Sequence, residues 1–189
     1  MNNFNQLNLS SDSLKILKGL KFENPTPIQE KVIPVALRGN DVMGTAQTGS
    51  GKTLSYILPI IEKLRINVND KFLVLTPTRE LAEQVFSVAK IFLGHGKPFK
   101  AINLIGGKGI FSQINQLKKN PQIIIGTPGR INDLLERKSL GLYKCSIVVL
   151  DEMDRMLDMG FEHQVDKIMK QVNKNRQMIM LSATIPEQI

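Results

Sequence analysis

The chain has 189 residues, 42% of them hydrophobic and 22% charged, which suits one domain with a sizeable core and excludes a chain too polar to fold. Lysine and arginine exceed aspartate and glutamate by 25 to 17, a formal net charge of +8, so a polyanionic partner such as nucleic acid stands beside an ordinary basic surface as an explanation. Cys145 is the sole cysteine and cannot close a disulfide within the chain. No apolar run reaches the roughly 18 residues of a membrane helix, and the opening MNNFNQLNLSSDS lacks a signal peptide's basic head and apolar core; the expectation is a soluble cytoplasmic protein.

In chain order, the first chemical signal is FENPTPIQE at residues 22–30. Thr26, Pro27 and Gln29 fall in the order of a helix capping box, and Gln29 can also pair bidentately with the N6 and N7 edge of adenine. An exposed aromatic such as Phe4 could stack on that base. DVMGTA then reads as a strand and runs into AQTGSGKT, residues 46–53, a Walker A pattern with Ala46 where the strict form has its first glycine. Gly49 and Gly51 permit tight backbone turns that aim main-chain NH groups at phosphate oxygens. Lys52 would reach the β and γ phosphates and Thr53 would hold magnesium. A ligand-free turn is the competing reading. Leu54, Ile57, Leu58, Ile61 and Leu64 follow at helical spacing.

KFLVLTP is the next strand, and TPTRE at its end opens a helix carrying Leu81, Val85, Ala89 and Phe92 on one face. FKAINLI leads to Gly106 and Gly107, where a backbone could approach closely or simply turn. QIIIGTP ends in TPGR, repeating the Thr-Pro-x-Arg pattern. A threonine or proline at a helix start is routine capping; two copies on one sheet edge would also set an arginine and free helix NH groups where successive phosphates of a strand could lie.

IVVLDEMD, residues 147–154, puts carboxylates directly after a buried strand. Asp151 is placed to serve a magnesium ion and Glu152 to orient or deprotonate water; favourable charge on a helix's first turn is the structural alternative. QMIMLSA is the last strand and ends in SAT. Strands alternating with helices imply an α/β fold, a mostly parallel sheet with helices on both faces. Ligands in such a sheet bind past the carboxyl ends of the strands, where these motifs sit. His95, His163 and Cys145 show no metal-ligand spacing and read as structural.

The ordered set resembles the DEAD-box family of ATP-dependent RNA helicases, specifically its first RecA-like domain, over nearly the whole chain. Phe4, then Phe22 and PTPIQ, look like that family's Q motif; AQTGSGKT, PTREL, GG, TPGR, DEMD and SAT follow in the family's order. The resemblance implies that Phe4, Phe22, Thr26 and Gln29 recognise adenine, with Ala46, Gln47, Thr48, Gly49, Ser50, Gly51, Lys52 and Thr53 cradling ATP. Thr53 and Asp151 would hold magnesium and Glu152 the water. Pro77, Thr78, Arg79, Gly107, Thr127, Pro128, Gly129 and Arg130 would line an RNA path, and Ser182 and Thr184, bonded to Asp154, would couple hydrolysis to strand separation.

The chain departs from the family pattern in three places. Lys21 replaces a glycine. Met153 replaces the alanine of the family's name and must fit between two working acids, where it could alter their coupling to Ser182 and Thr184 or merely fill a gap. The chain stops at Ile189, just after SATIP, with no second helicase domain to donate arginines, a contribution of about a thousandfold or more in rate. A monomeric half-enzyme over residues 1–189, binding nucleotide weakly and not unwinding, is the expectation. A DNA helicase or translocase, or a binding module with a structural nucleotide site, are the rival readings.

Overall fold

The computed structural model describes residues 3–47, 49–94 and 99–184; Thr48 and His95 lie outside the described residues. All six expected runs form strands: β1 (Val42–Thr45), β2 (Lys71–Leu75), β3 (Ala101–Leu104), β4 (Ile123–Gly126), β5 (Cys145–Asp151) and β6 (Gln177–Ser182). They pair in parallel in the order β1-β6-β5-β2-β4-β3. Parallel strands need long crossovers, which the helices supply.

The helices are α1 (Ser11–Gly19), α2 (Pro27–Leu37), α3 (Lys52–Ile66), α4 (Arg79–Leu93), α5 (Ile110–Leu117), α6 (Pro128–Glu136), α7 (Met153–Asp158) and α8 (Glu162–Met169). Strand side chains alternate between the two faces, and here both faces of the central strands β2, β4 and β5 are covered. Phe72, Val74, Ile123, Ile125, Ile147, Val149 and Ile179 pack with the apolar stripes of α1 to α4. Leu73, Leu75, Ile102, Ile124, Val148 and Leu150 pack with α5 to α8. Burial on both faces is why β4 reads IIIG and β5 reads IVVL with no polar alternation.

The order of the strands positions the site. After β1 the chain crosses through α3 to β2 and leaves a gap, which β5 and β6 later fill. The turn after β1 therefore ends up beside the ends of β5 and β6. Gln177 anchors the start of β6 by donating from Nε2 to the carbonyls of Ala36 and Asn40 at 3.0 and 2.7 Å. Among the described residues no helix is long and apolar enough to cross a membrane.

Gly126 closes β4 between two other strand ends. An added Cβ would overlap the Leu104 carbonyl oxygen and meet Ile131 Cδ1 at 3.0 Å. Gly126→Ala is expected to cost about 1–3 kcal/mol, the range of an overpacked core, read as a lower denaturant midpoint with an unchanged m-value.

Candidate nucleotide and nucleic-acid site

The segment after β1 turns sharply into α3. Gly49 and Gly51 take φ of +83° and +89°, a left-handed region that glycine enters without steric cost, and Gly51 is the N-cap of α3. Lys52 is only 7% exposed. Its Nζ, Ser50 Oγ and Asp151 Oδ1 are buried atoms with no hydrogen-bond partner among the described residues. Leaving a buried polar atom unpaired costs about 1–3 kcal/mol, and more when it is charged. An ammonium, a hydroxyl and a carboxylate oxygen left open at one place fit a phosphate chain with a divalent cation, in a way that a closed structural turn does not.

Asp151 ends β5 at 2% exposure, and the Tyr56 hydroxyl donates to its Oδ2 at 2.7 Å. Burial pushes the Asp151 carboxyl up to about 6, against the lowering effects of the Tyr56 bond and the nearby Lys52 charge. Burial, followed by the Asp151 charge, drives the Tyr56 phenol well above its usual range, so it stays a proton donor; the nearby Thr53 side chain works in the opposite direction. Lys52, Thr53 and Asp151, distant in the chain, thus converge on one place. The sequence reading missed Tyr56. Its signal was available: a phenol three residues after Thr53, turned into an otherwise apolar helix interior.

Glu152 follows with φ +54° and ψ +51°, a left-handed conformation costing roughly 1–3 kcal/mol outside glycine. Its NH donates to Leu181 O at 2.8 Å and holds the turn against β6. Asp154 joins the same strand end: its Oδ2 accepts from Ala183 N, Thr184 N and Thr184 Oγ1 at 3.2, 3.0 and 3.1 Å, while Ser182 Oγ accepts from Asp154 N at 3.0 Å. Burial is the largest single influence and raises the Asp154 carboxyl, but Ser182, Arg155 and Thr184 together outweigh it and hold it below the usual range. Met153 does not sit between the acids. It is 9% exposed and belongs to the buried cluster with Leu150 and Met156, so its flexible side chain fills the core under α7.

Upstream, one expectation changes. Phe4 is not an exposed stacking ring; it lies in a short turn over Phe4–Gln6 and is 3% exposed, packed in the main core cluster. Phe22, at 47%, is the accessible aromatic. Gln29 is 3% exposed and its amide is engaged at both ends: Oε1 accepts from Thr26 N and Nε2 donates to Gly51 O, each at 3.0 Å. The Thr26 bond is the Gln29 half of the expected capping box, and the Gly51 bond pins the turn after β1. Ala46 continues the sheet through its NH to Ser182 O at 2.9 Å, and Gln47 O accepts from Ser50 N at 3.2 Å.

The two Thr-Pro-x-Arg segments lie side by side because β2 and β4 are neighbours, with Leu75 level with Gly126. Thr78 caps α4 by accepting from Leu81 N at 3.2 Å, and Thr127 stands at the N-cap of α6. Both arginines hold the glycine turn after β3: the Arg79 guanidinium lies over Gly106 and Gly107 so closely that a Cβ on either would collide with it. Arg130 Nη1 donates to Lys108 O at 3.1 Å. Together they border a cleft of about 570 Å³ lined by Pro77, Thr78, Arg79, Gly106, Thr127, Gly129 and Arg130, with Met159 and Phe161 from the α7–α8 turn. Pro128 is buried at the start of α6 and does not line it, and Gly107 stands beside it under Arg79. Sequence reasoning missed Met159 and Phe161, which follow the acids by a turn with no motif to mark them.

The raised Asp151 carboxyl has a stability consequence. A group that binds its proton more tightly when folded weakens the fold as pH rises through the interval between its unfolded and folded values, here from 3.8 to about 6. At 1.36 kcal/mol per unit the loss is about 3 kcal/mol. In EDTA without nucleotide, Asp151→Asn is expected to gain on the wild type by about this amount between pH 4 and pH 7 in chemical unfolding; a constant difference across that range would contradict the assignment.

Comparison with known proteins agrees with this geometry. The sequence model of the DEAD/DEAH box helicase family matches residues 26–189. The chain is 43% identical to the DEAD-box ATP-dependent RNA helicase CshB of Bacillus cereus, over 98% of this chain and 44% of that protein. It is 45% identical to the DEAD-box ATP-dependent RNA helicase CshA of Streptococcus pneumoniae serotype 4, over 98% of this chain and 36% of that protein. The chain therefore spans less than half the length of these curated relatives. The crystal structure of a DEAD box protein from the hyperthermophile Methanococcus jannaschii superposes with a TM-score of 0.92 at 44% identity, covering 98% of this chain and 51% of that one. With its RecA-like sheet and the converging strand ends described above, the chain belongs to the DEAD/DEAH box helicase family.

Proposed function

We propose that this chain is the nucleotide-binding domain of a cytoplasmic ATP-dependent RNA helicase that couples ATP hydrolysis to RNA unwinding or remodelling. The observation that carries the reading is the meeting of Lys52, Thr53 and Asp151 around buried, unpartnered polar atoms, one sheet edge away from the cleft bordered by Arg79 and Arg130. The relatives' names point the same way.

Bound ATP with magnesium would supply the scissile phosphoanhydride and the divalent charge that neutralises it. Lys52 would hold the β and γ phosphates, and the turn from Ala46 to Gly51 would wrap them with backbone NH groups. Thr53 and the open Oδ1 of Asp151 would hold the cation, while Tyr56 keeps the other carboxylate oxygen in place. Glu152, fixed by its strained backbone, would orient water and accept its proton. Asp154 links that corner to Ser182 and Thr184, so a shift at the acids would be felt at the end of β6. Gln29 already touches the turn at Gly51 and would report adenine to it by exchanging that contact for the base. Arg79, Arg130 and the N-termini of α4 and α6 would grip an RNA backbone without reading its bases. A second RecA-like domain in the longer protein would complete the cleft and donate arginines.

In the complete protein, Glu152→Gln is expected to lower RNA-stimulated ATP turnover by about a hundredfold or more, the usual contribution of a positioned base, while ATP binding persists. Arg79→Ala with Arg130→Ala should instead weaken RNA binding and flatten its salt dependence. The isolated chain should hydrolyse ATP negligibly. Intact turnover in Glu152→Gln would sink the catalytic reading, and matched DNA competing as well as RNA in the presence of ATP would move it to a DNA translocase.

A further inference from the structure

Among the described residues most cations at the nucleotide and RNA site stand against a carboxylate, with Arg79, which forms no ion pair, the exception. There Lys108 pairs with Glu83 at 2.8 Å, Arg130 with Asp133 at 3.8 Å and Arg155 with Glu152 at 3.4 Å, and Lys52 faces Asp151. Unbalanced cations gather at the opposite end of the sheet, where the strands begin. The segments entering β5, β2, β4 and β3, which are successive neighbours, bring Lys144, Lys71, Lys118 with Lys119, and Lys100.

Contacts tie these lysines into one surface. Lys71 Nζ donates to Asn120 Oδ1 at 2.7 Å and Lys100 Nζ to Lys119 O at 3.3 Å. Lys71 is held below its usual value by burial and, in part, by the charge of Lys144, so those two lysines share one field. None of the five lysines forms an ion pair among the described residues. Asp70, the carboxylate next to Lys71, accepts from Asn67 Nδ2 at 2.6 Å and Ser146 Oγ at 3.1 Å and sets one negative charge against the five lysines.

Helix C-termini also point to this end and attract cations, which accounts for Lys118 after α5. Lys71, Lys100 and Lys144 stand at strand starts, where no helix end accounts for them. Four adjacent strands at about 4.8 Å spacing make a row roughly 14 Å long, a length over which a single nucleic-acid strand presents successive phosphates. At one end of the row, the loop between α6 and β5 opens a groove of about 380 Å³ lined by Leu135, Lys138, Leu142, Tyr143 and Gln171. The Tyr143 side chain, next to Lys144, is 71% exposed. A basic track with an accessible aromatic is the combination that binds single strands, the backbone by charge and a base by stacking.

We propose that the strand-start end of the sheet is a second nucleic-acid surface, which holds a single-stranded RNA flank along Lys144, Lys71, Lys119 and Lys100 and stacks one base on Tyr143. It is spatially separate from the cleft of Arg79 and Arg130 and stands whether or not that cleft binds RNA.

The test is fluorescence anisotropy of a 20-nucleotide single-stranded RNA with this chain across a salt series. Combined Lys100→Gln, Lys119→Gln and Lys144→Gln, all at exposed positions, should weaken binding at least tenfold at low salt. At about 0.7 per phosphate contact, the slope of log K against log salt should shrink by about 2. Tyr143→Ala should weaken RNA about fivefold or more and leave binding of polyglutamate unchanged. Wild-type affinity and slope in the triple variant, with an unaltered melting curve, would overturn the proposal. So would polyglutamate binding as tightly as RNA with no effect of Tyr143→Ala, an outcome that points to an acidic protein partner. Failure of the cleft reading is seen separately, as unchanged binding of a 6-nucleotide RNA by the Arg79→Ala, Arg130→Ala variant.

Discussion

Strand β6 pairs on one side with β1 and on the other with β5, and both pairings meet at the same residue: Leu181 is level with Gly44 and with Asp151. That shared register brings the turn holding Lys52 to the carboxylates after β5. It also brings Ser182 and Thr184 within hydrogen-bond reach of Asp154. A slip of one residue in either ladder would turn the strand's side chains to the other face of the sheet and take the site apart. The apolar content of β5 and β6, mostly buried, makes such a slip expensive, so the hydrophobic core fixes the chemistry's geometry.

Within that frame the site carries uncompensated polarity. Lys52 Nζ, Ser50 Oγ and Asp151 Oδ1 have no partner among the described residues, burial works against the Asp151 charge, and Glu152 occupies a left-handed conformation. Each costs stability by itself, and under the proposed function each would be offset by a bound anion and cation. The surrounding bonds run the other way. Tyr56 on Asp151, Gln29 on Gly51 and Asp154 on the end of β6 hold the open groups in place, so little ordering remains to be done on binding.

The glycine turn after β3 shows the same division between holding and leaving open. Arg79 and Arg130 both make contacts on that turn, which fixes the edge of the cleft. At the cleft Arg130 has a carboxylate neighbour in Asp133, while Arg79 forms no ion pair among the described residues. The end of the sheet where the strands begin carries a row of lysines without ion pairs among the described residues. A chain whose net charge suggested a polyanionic partner thus also gathers cations away from its motifs.

Much of this was legible in the order of residues. Continuous aliphatic runs ending in Thr-Pro or in acids marked six strands and their carboxyl ends, and the glycines of AQTGSGKT marked a turn that only a small residue can make. These are local properties, set by backbone sterics and by side-chain periodicity, and a short stretch contains all the information they need. What a side chain faces is not local. Phe4 looked available and is buried; Gln29, a cap or an adenine reader by its spacing, caps and also bonds Gly51; Met153, set among acids or filling a gap, packs in the core; Tyr56 and the lysine row carried no motif at all. Each depends on which distant segment lies opposite, and the insertion of β5 and β6 between β1 and β2 decides that. Composition and motif determined the fold class and the kinds of chemistry on offer, while only the packed sheet decided which groups meet, because burial and electrostatic pairing are properties of neighbours in space.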